Sequence, residues 1–157
     1  MLKIQLLVIG KTDVSWLQEG IAVYADRLKY YAQFSLEVLP DVKNRKSLSV
    51  QEQKTKEAQL LLPKLATNDF VVLMDENGKQ YKSVDLAQWI EQISLRTSKI
   101  VFIIGGPYGF DEALYARSNA KIALSTMTFS HQMVRVIFLE QLYRAFTIIK
   151  KEPYHHE

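Results

Sequence analysis

Three short segments that are apolar at almost every position constrain the fold of this chain more than any other feature. They are residues 2–9 (LKIQLLVI), 69–74 (DFVVLM) and 99–104 (KIVFII). A strand has such an uninterrupted apolar run when both of its faces are buried, as in parallel sheets covered by helices. Residues 34–39, which stop at a proline, and residues 120–125 predict two further strands.

Helical patterns fill the segments between these strands. Apolar residues recur at spacings of three and four through residues 13–31, which predicts one helix. Ser49 and Glu52 have the spacing of a capping box, so a second helix is predicted from there to about Ala66. The other predicted helices are residues 83–93 with Ser83 as the cap, 111–118 and 131–150.

The alternation of strands and helices predicts an α/β fold with a mainly parallel sheet and helices on both faces. One domain is expected over residues 1–157. Asn77 and Gly78 predict a tight turn with positive φ that ends the strand at Met74. Because ligands of such sheets bind beyond the carboxyl ends of the strands, we expect Leu73, Gly105 and the loop after Ser125 to lie together.

Composition excludes several classes of protein. The 157 residues, 48% hydrophobic and 24% charged, fit one globular domain, and the lack of cysteine excludes disulfide scaffolds and thiol chemistry. The first apolar run is too short for a signal peptide, and no apolar segment reaches membrane-spanning length, so a soluble cytoplasmic protein is expected. A net charge of +3 is compatible with a polyanionic partner without identifying one.

A cluster of glycines follows the third apolar strand, in residues 103–110 (IIGGPYGF). Glycines at this place let the backbone approach a ligand, but they also suit a tight strand-to-helix connection, and the pattern alone does not separate these two interpretations. The dinucleotide fingerprint would follow the first strand and have an acidic residue about 20 residues later. Nicotinamide and flavin enzymes are therefore disfavoured.

Residues 124–129 (LSTMTF) alternate apolar and hydroxyl side chains after the last predicted strand. This composition suits an adenine pocket. The alternative is a plain loop whose hydroxyls cap the last helix at Ser130.

The last helix is apolar on nearly every side between residues 133 and 149. A helix of this kind must be buried all round. Two arrangements satisfy this requirement, a second subunit packed on its outer side or a central place in the core of one chain, and we favour a homodimer.

Charged residues interrupt this apolar helix. Glu140 and Arg144 are four residues apart and share one face, whereas His131 and Arg135 share another. An intrahelical ion pair between Glu140 and Arg144 is the favoured interpretation, and an arginine held ready for an anionic substrate is the alternative.

The chain ends in residues 152–157 (EPYHHE), a segment for which a solvated tail is the usual structure. Tyr154 could stack on a nucleobase, and His155 could accept a proton near neutral pH. The adjacent histidines do not have the spacing of metal ligands, so no metal is expected.

Three segments, taken in order, closely resemble the RlmH family of SPOUT-class methyltransferases: FIIGGPYG at 102–109, LSTMTFSHQMVRVIFLEQLYRAF at 124–146 and PYHH at 153–156. The resemblance implies transfer of a methyl group from S-adenosyl-L-methionine to N3 of a pseudouridine in 23S rRNA. It also implies a homodimer that acts on assembled ribosomes, and a parallel α/β SPOUT fold with a C-terminal trefoil knot.

The resemblance further assigns roles by matching position. The cofactor pocket would be lined by Leu73, Gly105, Leu124, Ser125, Thr126, Met127, Thr128 and Phe129. Substrate binding and catalysis would use Glu140, Arg144, Tyr154 and His155, with His131 and Arg135 as further candidates. Residues 108–111 are a departure from the family pattern and receive no role.

Two other functions compete with this one. The first is a non-catalytic ribosome-associated dimer, which would transfer no methyl group. The second is a SPOUT methyltransferase acting on tRNA or on another rRNA nucleotide, and the absence of an added RNA-binding domain in so short a chain argues against it.

Overall fold

Five parallel strands form one sheet in the computed structural model, which describes residues 1–156. The strands follow the order β2-β1-β4-β3-β5, and every neighbouring pair is parallel. Their bounds are β1 Lys3–Ile9, β2 Gln33–Leu39, β3 Phe70–Gln80, β4 Lys99–Ile104 and β5 Ala120–Ala123. The predicted parallel sheet is therefore confirmed.

Helices cover both faces of this sheet. Their bounds are α1 Ser15–Leu28, α2 Val50–Leu61, α3 Ser83–Ser94, α4 Glu112–Arg117 and α5 Met133–Ile149. Helices α1, α3 and α5 pack on one face, and α2 and α4 pack on the other. Across residues 1–156, none of the helices has the length and apolar character needed to cross a membrane.

The central strand β4 shows why the apolar runs have no alternation. Ile100 and Phe102 face the layer of α1, α3 and α5, whereas Val101 and Ile103 face the layer of α2 and α4. All four side chains are 0% exposed. Since both faces of the strand are buried, neither face carries polar residues.

The two predicted caps have different outcomes. The capping box is confirmed, because the Glu52 amide donates to Ser49 Oγ (3.1 Å) and the Ser49 amide donates to Glu52 Oε1 (3.3 Å). The prediction that Ser83 caps α3 is wrong. Lys82 is the cap residue, and the Ser83 hydroxyl donates to Gln141 Oε1 on α5 at 2.8 Å. The Ser83 hydroxyl, which the local pattern assigned to the cap, is instead used in a tertiary contact between α3 and α5.

The prediction that β3 ends at Met74 is also wrong. The strand continues to Gln80, and Met74 and Lys79 are both aligned with Ile122 of β5, so the residues between them bulge out of the ladder. Gly78 does not have the positive φ expected of a tight turn. It is required for a different reason, since a Cβ atom there would lie 2.7 Å from the backbone of Ile122.

Helix α5 lies against the sheet between α1 and α3. Phe138, Leu139, Leu142 and Ala145 are each 0% exposed. The central-core alternative therefore accounts for most of the apolar surface of this helix within one chain, and the homodimer stays a prediction.

We expect the substitution Gly78→Ala to lower the free energy of unfolding by about 1–3 kcal/mol, because the new methyl group must displace the backbone of β5. Urea denaturation of the purified protein measures this change. Gln80→Ala, at an exposed position of the same strand, is the control and should change stability by less than about 0.5 kcal/mol. Equal stability of Gly78→Ala and the unmodified chain would contradict the close approach of the two strands.

Candidate active site

A cavity of about 500 Å³ lies at the carboxyl ends of β4 and β5 and beside the bulge of β3. The strands contribute Met74, Ile104 and Ile122 to its wall, and the loops that follow β4 and β5 supply most of the rest. This position is the one expected for a ligand site in a parallel sheet. The volume is within the range of pockets that bind small molecules and cofactors.

Most of the residues expected in a cofactor pocket line this cavity. They are Gly105, Leu124, Ser125, Met127, Thr128 and Phe129. Leu73 lies one residue before the lining residue Met74, and its side chain is buried in the core layer under α2 and α4. Thr126 is exposed on the same loop, outside the lining.

The cavity also has lining residues that the sequence analysis missed. Asp75 and Glu76 follow the apolar run of β3, so their position after a buried strand was a usable signal. Lys54 comes from α2 and Tyr115 from α4, and nothing in their local sequence indicates a site.

One wall of the cavity is acidic, and hydrogen bonds join its residues. The Tyr115 hydroxyl donates to Asp75 Oδ2, the Asn77 amide donates to Asp75 Oδ1 (2.8 Å), and the Thr128 hydroxyl donates to Glu76 (3.4 Å). Burial, together with the hydrogen bond to Asp75, raises the pKa of Tyr115 to about 12. The phenol therefore stays protonated and keeps its carboxylate partner in place.

The start of α5 forms part of the cavity wall through His131 and Val134. Burial lowers the pKa of His131, and the nearby charge of Arg135 lowers it further, so this imidazole is neutral at pH 7. The Ser130 hydroxyl accepts hydrogen bonds from the amides of Gln132 (3.2 Å) and Met133 (3.4 Å). The loop after β5 thus lines the cavity, whereas the prediction that Ser130 caps the last helix is wrong, because the cap residue of α5 is Gln132 and its side chain makes no cap hydrogen bond.

Arg135 is a structural residue in this arrangement. It is 1% exposed, and it donates to the carbonyl oxygens of Ile9 (2.7 Å) and Gly10 (2.8 Å) and to Thr12 Oγ1 (3.0 Å). These bonds attach the carboxyl end of β1 to α5. With its two terminal nitrogens used in this way, Arg135 is not placed to bind a substrate.

The predicted ion pair between Glu140 and Arg144 is confirmed, with Arg144 Nη2 2.5 Å from Glu140 Oε1. The chain end folds back onto this pair. The Tyr154 hydroxyl donates to Glu140 Oε1 (3.0 Å), and the Arg144 guanidinium lies 4.8 Å from the centre of the Tyr154 ring and 3.2 Å from His155 Nδ1. We call Glu140, Arg144, Tyr154 and His155 the tail cluster.

The electrostatics of the tail cluster assign protons to its members. The hydrogen bond with Glu140 raises the pKa of Arg144, and burial with hydrogen bonds to Tyr24 and Glu140 raises the pKa of Tyr154. Both groups therefore keep their protons near neutral pH. Because a guanidinium can only donate, His155 Nδ1 must be the acceptor in its bond with Arg144.

A tight turn after α5 directs the tail back onto the helix. Lys151 has a φ of 57°, and the Glu152 amide donates to the Thr147 carbonyl (2.9 Å), as in a Schellman motif. The Tyr31 hydroxyl then donates to Glu152 Oε2 (2.5 Å). The usual solvated tail is thus wrong for Tyr154 and His155, which are half-buried, whereas Glu152, Pro153 and His156 are exposed and Glu157 lies outside the described residues.

Residues 2–155 match the family model described as "Predicted SPOUT methyltransferase". The chain belongs to the SPOUT methyltransferase family. The resemblance drawn from its motifs is thereby confirmed.

Relatives of this SPOUT methyltransferase cover it almost completely. A protein of Christiangramia forsetii named "Ribosomal RNA large subunit methyltransferase H" is 52% identical over 98% of this chain and 98% of its own length. Proteins with the same name from Parabacteroides distasonis and Flavobacterium johnsoniae are each 50% identical over 99% of this chain and 100% of their own length.

The cavity and the tail cluster lie at different ends of α5 in this SPOUT methyltransferase. Val134 lines the cavity, whereas Arg144 is further along the same helix by about 15 Å at 1.5 Å per residue. Among the described residues, the four members of the tail cluster do not line the cavity.

We expect Lys151→Gly to raise the free energy of unfolding by about 0.5–1 kcal/mol, because glycine adopts positive φ without the steric cost of a Cβ atom. Urea denaturation measures the gain. The matched control is Lys150→Gly, at the cap residue one position earlier, where φ is −84° and glycine has no steric advantage, so this variant should lower stability instead. A loss of stability in both variants would argue against the turn.

Proposed function

We propose that this methyltransferase transfers a methyl group from S-adenosyl-L-methionine to N3 of a pseudouridine in 23S rRNA of the large ribosomal subunit. It acts on assembled ribosomes in the cytoplasm. The observation that carries the proposal is the cavity, which is enclosed by the two motif segments that follow β4 and β5. The relatives named ribosomal RNA large subunit methyltransferase H, similar over their full length, support the choice of substrate.

The lining of the cavity fits S-adenosyl-L-methionine. Ile104, Leu124 and Phe129 provide apolar contacts for an adenine, and Asp75 and Glu76 provide negative charge for a cationic ligand. When bound, this cofactor supplies a methyl group that is already electrophilic because it is attached to a sulfonium. The chain itself must then align the acceptor and remove its proton.

We assign these tasks to the tail cluster. N3 of pseudouridine carries a proton, and His155 is the proposed base that takes it, directly or through water. Arg144 stabilises negative charge that develops on the uracil ring, or it binds a phosphate. Tyr154 positions the uracil ring, and Glu140 orients Arg144 and Tyr154.

The hydrogen bond between Arg144 and His155 implies that the substrate binds before His155 removes its proton. His155 Nδ1 accepts a hydrogen bond from the Arg144 guanidinium, and this bond occupies the lone pair that would take the proton of the substrate. An anionic group of the RNA that draws Arg144 away would release that lone pair. The base would therefore become active only when the substrate is bound.

The distance between the two sites along α5 supports a homodimer in which the tail of one copy closes the cavity of the other. The partly exposed apolar residues Val136, Ile137 and Tyr143 are available for such a contact. The C-terminal trefoil knot belongs to the same proposal.

The experiment that tests this function incubates the protein with S-adenosyl-L-methionine labelled on its methyl group and with large subunits, whole ribosomes, free 23S rRNA or tRNA. We expect label in 23S rRNA from assembled ribosomes, and mass spectrometry of digested RNA should find it on N3 of a pseudouridine. Label in tRNA or on another nucleotide would replace the proposed substrate. No transfer to any RNA would favour the non-catalytic dimer.

We expect His155→Ala to lower the rate of methyl transfer by about 10²–10⁴-fold, the range typical of a lost general base, with unchanged cofactor affinity by calorimetry. His156→Ala changes the exposed neighbour and is the matched control. Near-normal methylation by His155→Ala would remove His155 from the mechanism.

A subunit-mixing experiment distinguishes a shared site from a site within one chain. Since Arg144 and His155 contact each other, variants of these two residues damage the same cluster and cannot complement. A tail variant must instead be mixed with a cavity variant, for example His155→Ala with Thr128→Trp. If tails close the opposite cavities, random mixing should restore about a quarter of the activity, because about half of the dimers are mixed and each has one intact site. If cavity and tail of the same chain cooperate, mixing should restore none.

A further inference from the structure

Glu57 is a buried carboxylate that the proposed mechanism does not use. It lies on α2, is 5% exposed, and is not part of the cavity lining. None of the ion pairs within residues 1–156 includes it. Carboxylates are rarely buried without a cationic partner, because the loss of hydration is costly. This position therefore calls for a physical explanation.

The partners of Glu57 are polar groups without charge. Gln53, one turn earlier on α2 and also buried, donates from Nε2 to Glu57 Oε2 at 3.2 Å. The other partner is the backbone of Gly106, in the loop that follows β4 and lines the cavity. The approach is so close that a Cβ atom at Gly106 would overlap the Glu57 carboxylate. Glycine at this place is thus required by Glu57.

We propose that Glu57 is a positioning residue for the cofactor loop, defined as residues 105–109. Its carboxylate holds the Gly106 amide from the side opposite the cavity and so fixes the wall against which the methyl donor binds. The loop has no helical or strand hydrogen bonds of its own. A hydrogen bond from an amide to an ionised carboxylate is about twice as strong as one to a neutral acceptor, which suits it to this task. The inference rests on the proposed function, because it assumes that the cavity binds S-adenosyl-L-methionine.

The surroundings of Glu57 make this contact sensitive to pH. Burial raises the pKa of Glu57, and the neighbouring charges are Asp41 and Arg45 of the loop after β2, which have opposite signs and lie 3.5 Å apart. From α2 the group meets Gln53, and from the cofactor loop it meets the backbone of Gly106. As the pH falls through the raised pKa, Glu57 gains a proton and the bond to Gly106 loses its charge assistance.

Stability and cofactor affinity should therefore respond to pH in opposite directions. A carboxyl whose pKa is higher in the folded chain than in the unfolded chain favours folding when it is protonated. The free energy of unfolding therefore rises as the pH falls through the interval between the folded-state and unfolded-state pKa values. The affinity for the cofactor should weaken over the same interval. A purely structural role for Glu57 would not produce this opposition.

The first test follows the Gly106 amide by two-dimensional ¹H–¹⁵N NMR of the full chain during a pH titration. We expect its proton shift to change with a midpoint above the ordinary glutamate value of about 4.3. The change should disappear in Glu57→Gln and persist in Glu91→Gln, which alters an exposed carboxylate on α3. A Gly106 amide that titrates in the same way in Glu57→Gln would overturn the inference.

The second test measures affinity for S-adenosyl-L-methionine by calorimetry across the same pH range. We expect Glu57→Gln to weaken binding about fivefold or more at neutral pH, to remove the pH dependence seen in the unmodified chain, and to leave kcat at saturating cofactor unchanged. Unchanged affinity of Glu57→Gln at every pH would overturn the inference. Failure of the unmodified chain to bind the cofactor would instead contradict the proposed function, and the NMR titration would still decide the contact between Glu57 and Gly106.

A double-mutant cycle provides a check that does not depend on charge. Gly106→Ala alone should weaken cofactor binding, because the new methyl group meets the Glu57 carboxylate. In a Glu57→Ala background the carboxylate is absent, so the methyl group introduced by Gly106→Ala fits, and the substitution should weaken cofactor binding much less. Additive effects of the two substitutions would contradict the proposed contact.

Discussion

Burial of both faces of the central strands is the constraint on which the rest of the structure depends. The strands β1, β4 and β3 can lose water from two sides only if helices cover each side, and the chain meets this requirement by placing its helices alternately. Since all the strands are parallel, their carboxyl ends meet at one edge. The cavity forms at that edge because the connections leave the sheet there and cannot pack as tightly as the strands beneath them.

Polar groups that are expensive to bury are concentrated at this same edge. Arg135 holds the end of β1, Glu57 holds the loop after β4, and Tyr115 holds Asp75 in the bulge of β3. Each group joins two segments that the hydrophobic core does not fix. Buried hydrogen bonds are directional, whereas apolar contacts are not. Hydrogen bonds of this kind can therefore hold the loops around a cavity in one defined conformation.

Helix α5 connects the cavity and the tail cluster. Its first turn borders the cavity, and its later turns carry Glu140 and Arg144, onto which the tail folds. The helix separates Arg144 from the cavity residue Val134 by about 15 Å, and this separation supports the proposed site shared by two copies of the chain. The ion pair within the helix also has two effects. It stabilises the helix, and it holds Arg144 beside His155.

The sequence by itself determined the order of the elements, the two-sided burial of the strands, the capping box at Ser49 and the family. These features depend on residue spacing within one segment or on motifs matched in order, and both are visible in a linear chain. Only the tertiary structure decided that β3 continues past Asn77, that Ser83 bonds to another helix, and that the tail packs on α5. It also decided which side chains of α2 and α4 reach the cavity. Such outcomes depend on contacts between segments distant in sequence, where a hydrogen bond or a close backbone approach outweighs a local preference.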